Sequence, residues 1–139
     1  MIVLDTNVLS ELMRPRPAQT VVAWIAAQPA ASLFTTAIAQ AEILYGVALL
    51  PAGRRRNGLA ATVDAIFELD LAGRVLPFDS AAAREFAVIA ASGRQMGRPM
   101  AQADAQIAAI ALSRGAQLAT RNVADFEHRG IRVIDPWHA

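Results

Sequence analysis

The sequence predicts an α/β fold, an α/β/α sandwich around a central, mostly parallel sheet. Three observations carry that expectation. Short apolar runs alternate with longer helical stretches along the whole chain, and strands that alternate with helices imply a parallel sheet covered on both faces. The opening run, Met1-Ile2-Val3-Leu4, is apolar without alternation, as a strand buried on both faces is. The helical stretches are rich in alanine, which lets them pack closely.

The elements follow in order. A strand over residues 1–4 leads into a helix near Val8–Met13, and a second helix, about Ala18–Ala27, starts after Pro17 and stops before Pro29. Ser32–Thr35 reads as a strand, and Thr36 is a suitable N-cap for a helix that runs to Leu50. A long helix spans about Pro51–Leu71, with Gly53 or Gly58 as its candidate break. Val75–Phe78 reads as a short strand, and Asp79 or Ser80 caps a helix to Ser92. Met100–Arg114 is the next helix, closed by Gly115 in the left-handed conformation. Gln117–Thr120 and Ile131–Ile134 are the last strands, with a turn of helix at Val123–Glu127 between them. No internal repeat, linker or low-complexity tract interrupts the pattern, so residues 1–139 are expected to form one domain.

Composition excludes several chemistries. There is no cysteine, hence no disulfide framework, thiolate metal site or cysteine nucleophile. All 13 basic residues are arginine, so neither the lysine of a P-loop nor a Schiff-base amine is present. No G-x-S-x-G elbow and no G-x-G-x-x-G after a strand occurs. His128 and His138 lack partners at metal-ligand spacing and read as surface residues. The first residues have no basic region or cleavage site of a signal peptide. Residues 17–41 carry no charge, but prolines and polar residues interrupt them, so no bilayer span is expected. The expectation is a cytoplasmic protein with no membrane partner.

Carboxylates in unexpected places point to the chemistry. Asp5 ends the first strand, and the carboxyl ends of strands are where open α/β sheets bind ligands. Counting along the helix places Glu42 on one stripe with Ile38, Tyr45 and Leu49, and Asp104 beside Met100, Ile107, Ala108 and Ala111. A carboxylate facing a core costs several kcal/mol unless compensated, and a divalent cation shared among three of them would compensate. For Asp104 the competing reading is a simple complement to the helix dipole. Oxygen donors alone select magnesium or manganese over zinc, and acids around such ions hydrolyse phosphodiesters. Arginines fit that substrate: Arg14 and Arg16 around Pro15, Arg54–Arg56 in a row, and Arg94 and Arg98 around a glycine loop. Arg14, Arg54 and Arg98 are the candidate contacts to a phosphodiester backbone, against the plainer reading of Arg54–Arg56 as a solvated helix start. Phosphatases and receiver domains with a strand-terminal aspartate need a lysine and are excluded.

Four ordered motifs carry a resemblance. Asp5-Thr6-Asn7 follows the opening strand, then come Ala41-Glu42-Ile43, Ala103-Asp104-Ala105-Gln106-Ile107-Ala108-Ala109, and Thr120-Arg121-Asn122-Val123-Ala124-Asp125-Phe126, and the chain closes on Ile134-Asp135-Pro136-Trp137. Across its whole length the sequence resembles the PIN-domain ribonucleases, specifically the VapC-type toxins of toxin–antitoxin modules in the FitB-like branch. The resemblance implies a PIN-domain fold and a magnesium-dependent endoribonuclease, with manganese as a substitute ion. It also implies inhibition by a small VapB-like antitoxin that binds operator DNA. Asp5 and Asp104 match the principal metal ligands, and Glu42 matches the acid that supports the metal or its water. Many relatives carry an aspartate where this chain has Asn122. Asp125 is the substitute fourth carboxylate, with capping of the short helix as its competing role. Thr6, Thr120 and Asn122 then orient the ligands or water. Glu11 falls one helical turn beyond Asn7, and the remaining acids read as surface or capping residues.

Two other functions share this pattern: a PIN-fold nuclease for RNA processing or DNA cleavage, and a weakly catalytic partner that dimerises an antitoxin on its operator. One more expectation comes from hydrophobicity, at 55% of residues. Ala37, Ile38, Ala41, Leu44, Tyr45 and Ala48 nearly encircle one helix, and Phe86, Val88, Ile89 and Ala90 another. Apolar surface of that extent marks an interface, here that of a homodimer, against the plainer reading that these helices are simply central in the sandwich.

Overall fold

The computed structural model describes residues 1–139. Five parallel strands form one sheet in the order β3-β2-β1-β4-β5: β1 Ile2–Leu4, β2 Leu33–Thr36, β3 Val75–Leu76, β4 Gln117–Ala119 and β5 Val133–Ile134. Seven α-helices flank it: α1 Thr6–Leu12, α2 Gln19–Ala27, α3 Ala37–Ala48, α4 Arg54–Ala65, α5 Ser80–Gln95, α6 Gln102–Ser113 and α7 Val123–Phe126. The predicted sandwich is the observed one. Ile2, Val3 and Leu4 are all buried, so both faces of β1 are covered, which explains a strand without polar alternation.

The order of strands sets the position of the site. β1 pairs with β2 on one side and β4 on the other, so the chain reverses its direction of winding there. The crevice at the carboxyl ends of two such strands is the usual ligand site of an open sheet. Asp5 follows β1 and Thr120 follows β4, and the Asp5 amide extends the pairing by donating to the Ala119 carbonyl at 2.9 Å.

Local chemistry fixes the ends of the helices. Thr36 caps α3, its Oγ1 accepting from the Ala39 amide at 3.0 Å, and Asp79 caps α5 through the Ala82 amide at 3.0 Å. Gly115 closes α6 at φ 64°, where a side chain would be strained. The core beneath is built on α6, whose Ile107, Ala108, Ala109, Ile110 and Ala111 are fully buried. Its run of small side chains permits the extensive α5–α6 packing that the alanine content predicts.

Three local expectations change. The long helix over residues 51–71 begins only at Arg54, after Gly53, and runs straight through Gly58. Its last turn, Ile66–Asp70, widens to π-helix and keeps Phe67 buried. The apolar stripe assigned to Glu42 faces outward, with Tyr45 and Leu49 each 66% exposed. The buried line of α3 is Ala39 and Ile43 instead, because this helix is apolar on every side and counting cannot say which side packs. No helix is long and apolar enough to cross a membrane.

Candidate active site

Asp5, Glu42 and Asp104 face one cleft of about 450 Å³, together with Thr6, Asn7 and Asn122. Each arrives from a different element: Asp5 from the end of β1, Glu42 from the second turn of α3, Asp104 from the first turn of α6. Asp5 is the anchor. It is 3% exposed, and both of its oxygens are held. Oδ1 accepts from the Thr6 amide at 2.8 Å, as the cap of α1. Oδ2 accepts from Thr120 Oγ1 at 2.7 Å and from Asn7 Nδ2 at 3.4 Å.

Thr120 and Asn7 lock β4 to α1. Thr120 Oγ1 also accepts from Asn7 Nδ2 at 3.2 Å and from the Asn122 amide at 3.1 Å. Asn7 Oδ1 accepts from the Arg121 amide at 3.2 Å. Thr6 turns the other way, its Oγ1 donating to Glu42 Oε1 at 2.7 Å. Glu42 is thus an exposed residue tethered to the site by one hydroxyl, rather than a carboxylate forced into the core.

Electrostatics set these acids apart. Burial pushes the Asp5 carboxyl above its ordinary range, against the hydrogen bonds from Thr120 and Thr6, and the charges of Glu42 and Asp125 push it further. Asp104 rises to about 6, first through burial and then through the charges of Asp5, Asp125 and Glu42. No ion pair relieves them, since the three salt bridges are Arg14–Glu11, Arg114–Asp79 and His138–Asp135. Four carboxylates with mutual repulsion and no salt-bridge partner are a donor set suited to a hard divalent ion. The fit is one of charge and donor type: no three of the acids stand close enough to clasp one ion between them.

Asp125 lies across Asp104 from the main cleft. The two line a second cleft of about 430 Å³ with Arg98 and Arg129, and Asp104 is common to both. The capping alternative for Asp125 fails, because α7 starts at Asn122 with no side-chain cap. Among the arginines singled out from the sequence, Arg14 lines the main cleft and Arg98 the second. Arg54 lines neither. It opens α4, and its neighbour Arg55 instead borders a groove that reaches Thr6 and Glu42.

Glu11 lines the cleft too, but its role is architectural. It is 6% exposed, bonded through Oε2 to the Ala18 amide at 3.0 Å and paired with Arg14 at 3.4 Å. Ser10, Arg121 and Trp137 complete the lining and were not singled out from the sequence. Arg121 and Trp137 stood inside the quoted motifs, and their position beside the acids was the available signal. Asn7 was noted only as a neighbour of Asp5, although its amide bridges the ends of β1 and β4.

Comparison with known proteins identifies the family. Residues 2–130 match the PIN domain family. The VapC ribonuclease Y4jK of Sinorhizobium fredii is 44% identical over 137 residues, 99% of this chain and 98% of that one. Toxin FitB of Neisseria gonorrhoeae is 39% identical over 138 residues, 99% of each chain. A solved structure of FitAB bound to an IR36 DNA fragment contains a chain that superposes with TM-score 0.93 at 39% identity, covering 100% of this chain and 97% of its own. The chain belongs to the PIN-domain family, among its VapC- and FitB-like members.

Proposed function

We propose that the protein is a magnesium-dependent endoribonuclease, the toxin of a VapBC-like toxin–antitoxin pair, formed by one PIN domain over residues 1–139. The observation that carries the reading is the set of four unpaired carboxylates, Asp5, Glu42, Asp104 and Asp125, at the carboxyl edge of the sheet. Similarity to proteins named VapC ribonuclease and FitB toxin supports it.

In this reading Asp5 and Asp104 would hold the ion, with manganese able to replace magnesium. The chemistry such an ion would supply there is a water nucleophile at neutral pH and neutralisation of charge on the phosphodiester. The chain does the rest. Thr120 and the Thr6 amide fix the Asp5 carboxylate, so its lone pairs need no reorganisation. Thr6 holds Glu42 beside that site, where its free oxygen can orient or deprotonate the water. Asp125 adds negative charge from the second cleft, and Asn122 offers a neutral amide in the main one. Arg14 and Arg98 flank the acids on the two sides, as a phosphate backbone running across Asp104 requires.

The partner follows from the same comparison. Structurally similar chains were solved as FitAB bound to DNA and as VapBC complexes, which supports a cognate antitoxin that binds DNA. An arginine or lysine of the antitoxin reaching the unpaired acids would compete with the ion.

The test is cleavage of a labelled panel of single-stranded RNA, structured RNA and DNA, with magnesium and with chelator. RNA cleavage that needs magnesium and disappears in Asp5→Asn and Asp104→Asn is the expected result. Growth arrest on expression alone, relieved by the adjacent antitoxin gene, tests the biological half. Absence of RNA cleavage with either ion, or cleavage of DNA only, overturns the reading.

A further inference from the structure

We infer that Trp137 and Arg121 form a subsite that stacks an unpaired nucleobase of the substrate next to the carboxylates, an inference that rests on the ribonuclease reading. The cleft is polar apart from one residue, and that residue is Trp137. An indole in such a place is unusual, since nothing about holding acids or a cation calls for it. Part of the ring packs against the core, and the remainder lines the cleft. Arg121 lies over it, with Cζ 5.0 Å from the ring centroid.

The presentation is built rather than incidental. Asp135 folds the chain end into a hook: its Oδ1 accepts from the Trp137 amide at 2.9 Å, and its carbonyl accepts from the His138 amide at 3.1 Å. His138 Nδ1 meets Asp135 Oδ2 at 2.9 Å, and Pro136 is buried beneath. Arg121 is registered from the other side, because its amide donates to Asn7 Oδ1 and Asn7 in turn contacts Asp5. The planar pair is therefore fixed relative to the acid that anchors the site. Arg121 makes no ion pair with any acid of the chain and is exposed, so a base stacks on the side of the guanidinium turned away from the indole, or on the part of the ring that the guanidinium leaves uncovered.

The chemistry selects a base over a phosphate alone. An arginine by itself would serve a phosphate; the indole adds nothing to that contact but offers a flat π surface. Bases of single strands stack on tryptophan and on arginine planes, for about tenfold or more in affinity per base and with little preference among bases. Bases inside a duplex are stacked on both faces by their neighbours, so this subsite selects unpaired RNA.

The test uses the full chain with Trp24→Phe, so that Trp137 is the one tryptophan, excited at a wavelength where Tyr45 does not absorb. Adenosine 5′-monophosphate should quench it, whereas ribose 5-phosphate at the same concentration should not. In cleavage of a single-stranded RNA oligomer, Trp137→Ala should raise KM about tenfold with kcat changed less than about threefold, and Trp137→Phe should restore most of the loss. Equal quenching by the two phosphates overturns the inference. So does an equal KM defect in the Ala and Phe variants, or a kcat defect without a KM change. If the wild-type chain cleaves no RNA, the ribonuclease reading falls, and quenching by the nucleotide alone decides the subsite.

Discussion

Thr120 Oγ1 donates to Asp5 Oδ2 at 2.7 Å across 115 positions of sequence, and this bond ties the carboxylate of the first acid of the site to the end of β4. It is buried and fully committed, because the same hydroxyl accepts from Asn7 and from the Asn122 amide. Thr120→Val keeps the shape and removes all three bonds. The cost should be about 1–3 kcal/mol of stability, since the Asn7 amide and the Asn122 N–H lose an acceptor. Asp5 would lose one of the two bonds that hold its pKa down, so the acid limb of the pH–rate profile should move to higher pH. A profile unchanged from wild type would show that Thr120 does not tune Asp5.

Asp104 supplies a pH signature. Its carboxyl stands at about 6 instead of the ordinary 3.8, so the folded chain binds more protons than the unfolded one between those values. Stability of the metal-free protein should therefore fall as pH rises through this window and be recovered on acidification. Asp104→Asn should flatten the dependence, leave the metal-free protein at least as stable at pH 7, and abolish RNA cleavage. Asp5→Asn should also abolish cleavage, but at some cost in stability, because an amide nitrogen cannot accept the Thr120 and Asn7 bonds that Oδ2 holds. Thermal melts at several pH values with chelator provide the check, and a variant that cannot fold would mark the acids as structural.

Cation binding should oppose that trend. Magnesium or manganese binds the ionised carboxylates, so the rise in Tm on adding the ion should be larger at pH 7.5 than at pH 5. Asp125→Asn should weaken the ion's effect and slow cleavage strongly. Unchanged ion affinity in that variant would place Asp125 outside the metal site. Loss of a helix cap does not enter, because its side chain caps nothing.

Much of this site was legible in the chain because it lies at element ends that the sequence marks plainly. Asp5 closes an unbroken apolar run, Asp104 shares a stripe with residues that prove fully buried, and Thr36 sits where a cap must be. Glu42 was found by a count that pointed the wrong way: α3 is apolar all round, and only tertiary packing chooses Ala39 and Ile43 as its inner line. Arg54 was preferred to Arg55 from a run of three identical residues, a choice that depends on the rotation of α4. Arg121 and Trp137 could not be weighed from sequence, because their contact joins β4 to a hook at the chain's end.

Gly93 is buried in α5 where another strand of chain passes close. A Cβ there would stand 2.8 Å from both Arg129 Nη1 and the Arg98 carbonyl oxygen. Arg129 Nη2 donates to that same carbonyl at 2.8 Å, while Nε and Nη1 are enclosed without an acceptor. Gly93→Ala should cost about 1–3 kcal/mol by overpacking. Adding Arg129→Ala removes one of the two clashes, so the double variant should lose less than the sum of the singles. Additive losses by denaturant melts would mean that the two residues do not meet.

The exposed side of α3 makes the last prediction. Leu44 is 45% exposed, and Tyr45 and Leu49 are 66% exposed, beside the small and exposed Ala41 and Ala48. On α5, Val88 is 66% exposed while Ile89 is buried. Apolar surface of this kind on a small chain marks a contact surface, and a homodimer through α3 is the expected occupant. Glu42 belongs to the same outward stripe as Tyr45 and Leu49, so a second copy seated there would also reduce the solvent around Glu42. Tyr45→Glu should then give a folded monomer by light scattering and circular dichroism, with cleavage impaired although Tyr45 touches no acid. A wild-type chain that is a monodisperse monomer, or a Tyr45→Glu variant that remains a dimer, would move the interface off this helix.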